Sequence, residues 1–429
     1  MYIDIVNSYL DSIHALRVYA DSVEEVTVEG KMQCGNYSSV IAMTMWLAKF
    51  FKLKNVNVDE VDFMDKLPDD IEISEENASR VSSLLKQLIT EMGNQLEISE
   101  DAKTASYRHI SKDIKEQFIR IEAENKRLEL LYSGSLMLLV TYFENLVSKI
   151  IKEDLKLHPK RMSLENKEVP YYILEKANDI ADVKNMLIDE EVTSLMYKAL
   201  KDWMHYFCNK VKLKLNYMIS IQSELSEIIA RRNLIVHNEG VVNSIYLNIV
   251  GQKQSENVKK GEILDVDREY LDNAIDIIEL AGVSLAIESW VKEYGNNDDE
   301  IGKITDFIYG EYLIFEKWEE AKILYEICLD SGKLKDATRL LCQINKWQCF
   351  KWQGRFDQVV EEIEDLDISA ASPKFKLGVL ALLDKYEEFF DYFDRQDEIG
   401  ETALHEWPLF KNIRECETYI DRYVEEDEE

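Results

Sequence analysis

The sequence predicts an all-α fold: a helical bundle followed by a C-terminal region of helical repeats. Three observations predict it. Apolar residues recur along most of the chain at helical rather than alternating spacing. Turn punctuation is sparse, with 15 Gly and 5 Pro in 429 residues, too little for a chain built of many tight turns. Short patterns around the aromatic residues 318, 356 and 386 recur at the spacing of helix pairs.

The N-terminal block, 1–105, carries candidate helices at Ile5–Val23, Tyr37–Lys52 and Glu75–Met92. The acidic stretch Asp59–Glu76 with Pro68 reads as a loop or short helix. No chemical motif falls in this block, and it receives no role. In the second block, 107–291, Ile110, Ile114, Phe118, Ile121 and Leu128 give Tyr107–Leu131 one apolar face. Ser133–Lys152 is apolar almost all round, the mark of a buried central helix. Helical spacing resumes near Val183–Leu187, at Glu190–Leu213 and at Tyr217–Asn238. The turn-rich Gly251–Gly261 follows, and Asp267–Val291 closes the block.

Tyr294–Glu300 is polar, contains Gly295 and reads as a linker. Beyond it, over 301–415, Trp318, Phe356 and Tyr386 each stand third in a similar hexad, Glu316–Ala321, Gly354–Val359 and Asp384–Phe389. They are spaced by 38 and 30 residues, near the ~34-residue period of tetratricopeptide-type (TPR-like) repeats. An irregular helical bundle would fit the same pattern. Residues 416–429 read as an acidic, solvated tail.

Composition bounds the function. With 46% hydrophobic and 31% charged residues the chain is globular rather than disordered. A formal charge of −32 argues against broad, non-specific binding of nucleic acid or membrane surfaces. It leaves room for a small basic site on an acidic body. The N-terminus lacks the basic and apolar regions of a signal peptide, and no uninterrupted apolar run of ~18 residues is present. The six cysteines form no CxxC pair. The expectation is a cytoplasmic protein with reduced thiols, no structural metal, no cofactor and no membrane partner.

The most informative stretch is Leu225–Asn243. At ~100° per residue, Leu225, Ile228, Ile229, Ile235 and Val236 make one apolar stripe, and Arg232 falls inside it. Arginine is almost never buried without a partner. Glu144 interrupts the apolar run Leu136–Phe143 on the other buried helix, so the two charges most simply meet each other. Asn233 and His237 are i and i+4 and share a face, while Arg232 and His237 lie about 140° apart. Gly240 suits the position just past the helix end. In the last turn the helix dipole favours protonated His237, placing it where a histidine exchanges protons near neutrality. Across 201–233 the six cations Lys201, Lys210, Lys212, Lys214, Arg231 and Arg232 face Asp202, Glu224 and Glu227. That local excess suits one phosphate group, or simply an ordinary solvated helix face.

Arg231-Arg232-Asn233-Leu234-Ile235-Val236-His237-Asn238 resembles the Arg-(x4–6)-His signature of the HEPN superfamily. The upstream Leu139–Glu144 helix and the following His237–Asn243 segment resemble HEPN proteins of bacterial toxin and abortive-infection (antiphage) systems. The resemblance covers roughly 107–291 and neither flanking block. It implies a helical bundle that forms a homodimer with a composite site, and metal-independent endoribonuclease activity in many members; others bind nucleotides or proteins. On that resemblance His237 acts as general acid or base on the 2′-OH, and Arg232 stabilises charge on the phosphate. Asn233 orients His237 or binds a phosphate oxygen; helix packing, not the resemblance, gives Glu144 the part of holding Arg232 or Asn233, and Arg231 supports the site as part of the local positive charge. RNA is then the substrate, and the C-terminal repeats are expected to meet an antitoxin or phage-trigger protein. The alternative is a non-catalytic dimeric scaffold in which Arg232–Glu144 is only a structural bridge.

Overall fold

A computed structural model describes residues 1–25, 110–162, 168–251 and 258–424, with a few positions between 83 and 106. The expected helix Tyr37–Lys52, the acidic stretch Asp59–Glu76, most of Glu75–Met92 and Cys34 lie outside the described residues. The fold is all-α. Among the described residues the extended structure is a two-residue antiparallel pair, Glu97–Ile98 with Ala105–Ser106, and one isolated bridge, Val241 with Ile263.

The chain forms two compact units. One holds Met1–Ala15, Leu136–Leu264 and Glu269–Glu429; the other holds Leu16–Ser135 and Asp265–Arg268. In the second unit Arg268 bridges Asp21 (2.6 Å) and Glu24 (2.7 Å).

The two helices expected at Tyr107–Leu131 and Ser133–Lys152 are one helix, Ile110–Leu157. Gly134 does not break it. Glycine in a helix costs only about 1 kcal/mol, and burial of Leu136, Leu139, Val140, Phe143, Val147 and Ile150 just beyond outweighs that. Part of this helix, Lys126–Leu157, is long and apolar enough to cross a membrane by length and composition. Half of its most apolar window is buried inside the fold, as expected of a core helix.

The expected helix Glu190–Leu213 is instead interrupted. Ile180–Met196 ends, Leu200–Tyr206 begins, and a π turn follows at Phe207–Val211. Trp203 Nε1 donates to the Leu195 carbonyl at 2.9 Å, folding the second segment back on the first. Lys212 and Leu215 then take left-handed conformations. Their turn is held by a carboxylate 73 residues away: Glu288 accepts the Lys214 N–H at 2.5 Å and the Leu215 N–H at 3.1 Å. No local spacing encodes that contact.

Arg268–Tyr294 is the central helix of the larger unit and is buried along most of its length. The N-terminal helix packs on it. Tyr2 stacks at 6.2 Å on Trp290, and Tyr9 donates to the Ile278 carbonyl at 2.6 Å. Gly282 makes the close approach: a Cβ there would sit 2.5 Å from the Tyr9 ring. The segment read as a linker shortens to a tight turn, because Asn297 Oδ1 caps the next helix, Asp298–Ile308, by accepting the Asp299 N–H at 3.0 Å.

The three hexads open with the same turn. Glu316, Gly354 and Asp384 are left-handed, each two residues before Trp318, Phe356 or Tyr386. Lys317, Arg355 and Lys385 donate backwards to Tyr312 (2.9 Å), Phe350 (2.9 Å) and Leu380 (3.0 Å). Each is the six-to-one bond that ends a helix through a left-handed residue. The cations of Lys317 and Arg355 lie over the rings of Tyr312 and Phe350, at 5.3 and 5.1 Å. The helices that follow are unequal, with Trp318–Asp330 and Tyr386–Phe393 flanking a short Val360–Glu364. The stretch read as a solvated tail carries one more helix, Glu417–Tyr423, anchored by the Tyr419 hydroxyl on His405 Nδ1 at 2.6 Å.

Candidate functional site

The Arg-x4-His segment lies on the helix Gln222–Asn238. Its buried positions are Leu225, Ile228, Ala230 and Leu234. This corrects the single stripe read from sequence: Ile229 and Ile235 are half-buried and Val236 is 47% exposed. Leu225 and Ile228 are buried, and Ala230 and Leu234 join Val242, Tyr246 and Val250 in a small core.

The helix stops at a left-handed Glu239 followed by Gly240, whose φ is +76°. Gly240 donates to the Leu234 carbonyl at 3.1 Å and accepts the Leu264 N–H at 3.0 Å. A Cβ at Gly240 would sit 3.2 Å from the Leu264 carbonyl oxygen, so both the backbone angle and the close strand require glycine. Val242 continues the pairing with Glu262 at 2.8 Å. These bonds fix the last turn and hence the position of His237.

The proposed residues separate into three groups. Arg232 forms an ion pair with Glu144 through Nη2 and Oε1. The pair is largely shielded, with side-chain exposures of 18% and 29%. Among the described residues, buried Arg232 Nε has no hydrogen-bond partner.

Asn233 and His237 form the second group. Both are exposed, and both line a cleft of about 250 Å³ with Asn243, Ile245, Tyr246 and Ile249. Asn243 is committed to capping the next helix, accepting the Tyr246 N–H at 2.9 Å. Ile245 and Ile249 leave 70% and 49% of their surface open. Arg232 is not among the residues lining this cleft.

Arg231 belongs to a third group, in which its guanidinium is engaged within the fold. Its Nε donates to Glu227 at 2.8 Å, and its guanidinium lies 4.0 Å from the centre of the Tyr270 ring. Tyr246 and Tyr270 also donate to Glu227, at 2.8 and 2.6 Å. Burial and the Glu227 charge push the Tyr246 hydroxyl up to about 12 and Tyr270 well above its ordinary range. This is a partly buried network tying three helices together. The signal for it was in the sequence, since Glu227 precedes Arg231 by four residues.

The local basic patch is likewise redistributed. Lys214 pairs with Asp330 at 3.0 Å. Lys212 and Lys214 line a different cavity, of about 150 Å³, with Lys292 and Lys333. His205 is exposed. Comparison of this chain with family models, curated proteins and solved structures gives no match.

Proposed function

We propose that the Arg232–His237 segment is the half-site of a metal-independent endoribonuclease of the HEPN type, completed by a second copy of the chain. The observation that carries this reading is the division of labour on one helix. His237 and Asn233 open into a solvent-accessible cleft, while Arg232 is held from behind by Glu144. Glu144 takes one of the guanidinium N–H groups; Nε is buried, and a phosphate would be met by the remaining Nη N–H groups.

One chain does not bring Arg232 to His237, because about 140° of helix separates them. A second copy supplies the missing partner. The exposed aliphatic side chains Val236, Ile245 and Ile249 beside His237 suit burial against that copy, since clustered apolar exposure marks interaction surfaces.

The chemistry needs no metal. The RNA 2′-OH attacks its adjacent phosphorus, the bond to the 5′-oxygen breaks, and a 2′,3′-cyclic phosphate and a 5′-OH result. His237 takes the 2′-OH proton or gives one to the leaving oxygen. Arg232 stabilises the phosphorane charge, and Asn233 orients His237 or a phosphate oxygen. The antiphage or toxin setting, with the C-terminal repeats meeting a trigger or antitoxin protein, belongs to the same proposal. The experiment is to express wild type, His237→Ala and Arg232→Ala in bacteria and follow growth and RNA integrity. Wild type is expected to degrade RNA and arrest growth, and both variants to lose this while remaining folded.

A second reading is favoured by the ion pair itself: Arg232–Glu144 as a purely structural bridge in a dimeric scaffold. It predicts that Arg232→Ala unfolds the chain or breaks the dimer and that His237→Ala is nearly silent.

A further inference from the structure

The cavity of about 150 Å³ beside the Lys212–Leu215 turn shares no lining residue with the His237 cleft, and what it does is independent of the reading above. Three stretches of chain wall it. They are the left-handed turn Lys212–Leu215, the last turn of Arg268–Tyr294, and the end of Trp318–Asp330 with the turn after it. Each stretch contributes lysine: Lys212 and Lys214 from the first, Lys292 from the second, Lys333 from the third. Two carboxylates, Asp330 and Glu288, share the wall. Four cations thus stand against two anions, in a chain whose formal charge is −32.

Both carboxylates are already engaged. Asp330 accepts Lys214 Nζ at 3.0 Å and Asn216 Nδ2 at 3.2 Å. Glu288 accepts the Lys214 and Leu215 backbone N–H groups that hold the turn. Lys333 Nζ donates to the Lys292 carbonyl, an uncharged acceptor that leaves two of its three ammonium N–H groups open. Among the described residues, Lys212, Lys292 and Lys333 have no carboxylate partner. Three unpaired ammonium groups around one small cavity repel each other, and an anion between them converts that repulsion into attraction. Tetrahedral phosphate oxygens suit such a ring, because they accept charge-assisted hydrogen bonds from several directions at once. At about 150 Å³ the cavity is smaller than the ~300–1,000 Å³ of sites for drug-sized ligands, so the ion carries no bulky organic group.

We propose that this cavity binds a small inorganic polyanion of the phosphate class, held by Lys212, Lys292 and Lys333.

The test titrates inorganic pyrophosphate into the full-length protein by calorimetry, in EDTA and at low, constant ionic strength. Pyrophosphate is expected to bind saturably, and more weakly as NaCl is raised. The double variant Lys212→Gln/Lys292→Gln is expected to weaken it by about tenfold or more. Lys160→Gln/Lys198→Gln, which removes two exposed lysines elsewhere, is expected to leave it unchanged. ADP, the same diphosphate with a nucleoside attached, is expected to bind no more tightly than pyrophosphate, and malonate, a dicarboxylate, much more weakly. The proposal is overturned by the absence of saturable pyrophosphate binding, or by equal effects of the two double variants. Tighter binding of ADP, or malonate binding as tight as pyrophosphate, overturns it as well. The wild-type titrations need no variant, and all four substituted lysines are exposed, where such changes rarely disturb folding.

Discussion

Arg232 and Glu144 meet as an ion pair between the Gln222–Asn238 helix and the core helix Ile110–Leu157. The pair sits where each helix would otherwise bury a lone charge. It is therefore the joint between the motif and the core, whichever chemistry the motif performs.

A double-mutant cycle measures that joint. Arg232→Ala and Glu144→Ala are each expected to destabilise the protein by about 1–3 kcal/mol, below the ~3–5 kcal/mol of a fully buried pair because both groups retain some exposure. The double mutant should cost less than the two singles together. Additive losses in denaturant unfolding would show that the two residues do not support each other.

Gly282 fixes how the N-terminal helix lies on Arg268–Tyr294. Gly282→Ala places a methyl group against the Tyr9 ring and is expected to cost about 1–3 kcal/mol. Combining it with Tyr9→Leu should recover part of that loss. A Gly282→Ala protein with wild-type melting temperature would contradict the packing.

The repeated turns make opposite predictions at equivalent positions. Glu316 is left-handed at φ +56°, where an L side chain is strained by about 1 kcal/mol. Its contact to Lys411, 2.9 Å, lies between exposed groups and contributes little. Glu316→Gly is expected to stabilise by about 0.5–1 kcal/mol, and Gly354→Ala, at φ +69°, to destabilise by a similar amount. Thermal melting of both variants checks the pair.

Glu288 gives a pH signature. Burial raises its pKa above the ordinary 4.5, against the opposing effect of the Lys214 and Leu215 N–H groups. A carboxyl raised in the folded state contributes stability that is fully present below its unfolded pKa and lost as pH rises through its folded pKa. Glu288→Gln keeps an acceptor for both N–H groups and removes the ionisation. Its melting temperature relative to wild type is therefore expected to climb as pH rises from about 4 toward 7. A flat or falling difference would mean that Glu288 ionises in the fold as easily as in water.

Much of this architecture was legible in the residues. The all-α class followed from spacing and sparse Gly and Pro. The Arg232–Glu144 contact followed from two charges placed on otherwise apolar faces. Glu316, Gly354 and Asp384 share a turn because the hexads repeat around them. What sequence concealed depends on distant contacts. The Lys212–Leu215 turn is held by Glu288, which no local pattern connects to it. The split of Arg231 from Arg232 depends on Tyr246 and Tyr270 reaching back to Glu227.

Incubating purified wild-type protein with RNA in excess EDTA and identifying the new ends tests the ribonuclease proposal. Cleavage is expected without divalent metal, leaving 2′,3′-cyclic phosphate and 5′-OH ends, with no cleavage by folded His237→Ala or Arg232→Ala. Cleavage that requires Mg²⁺, or that persists in both variants, would contradict it.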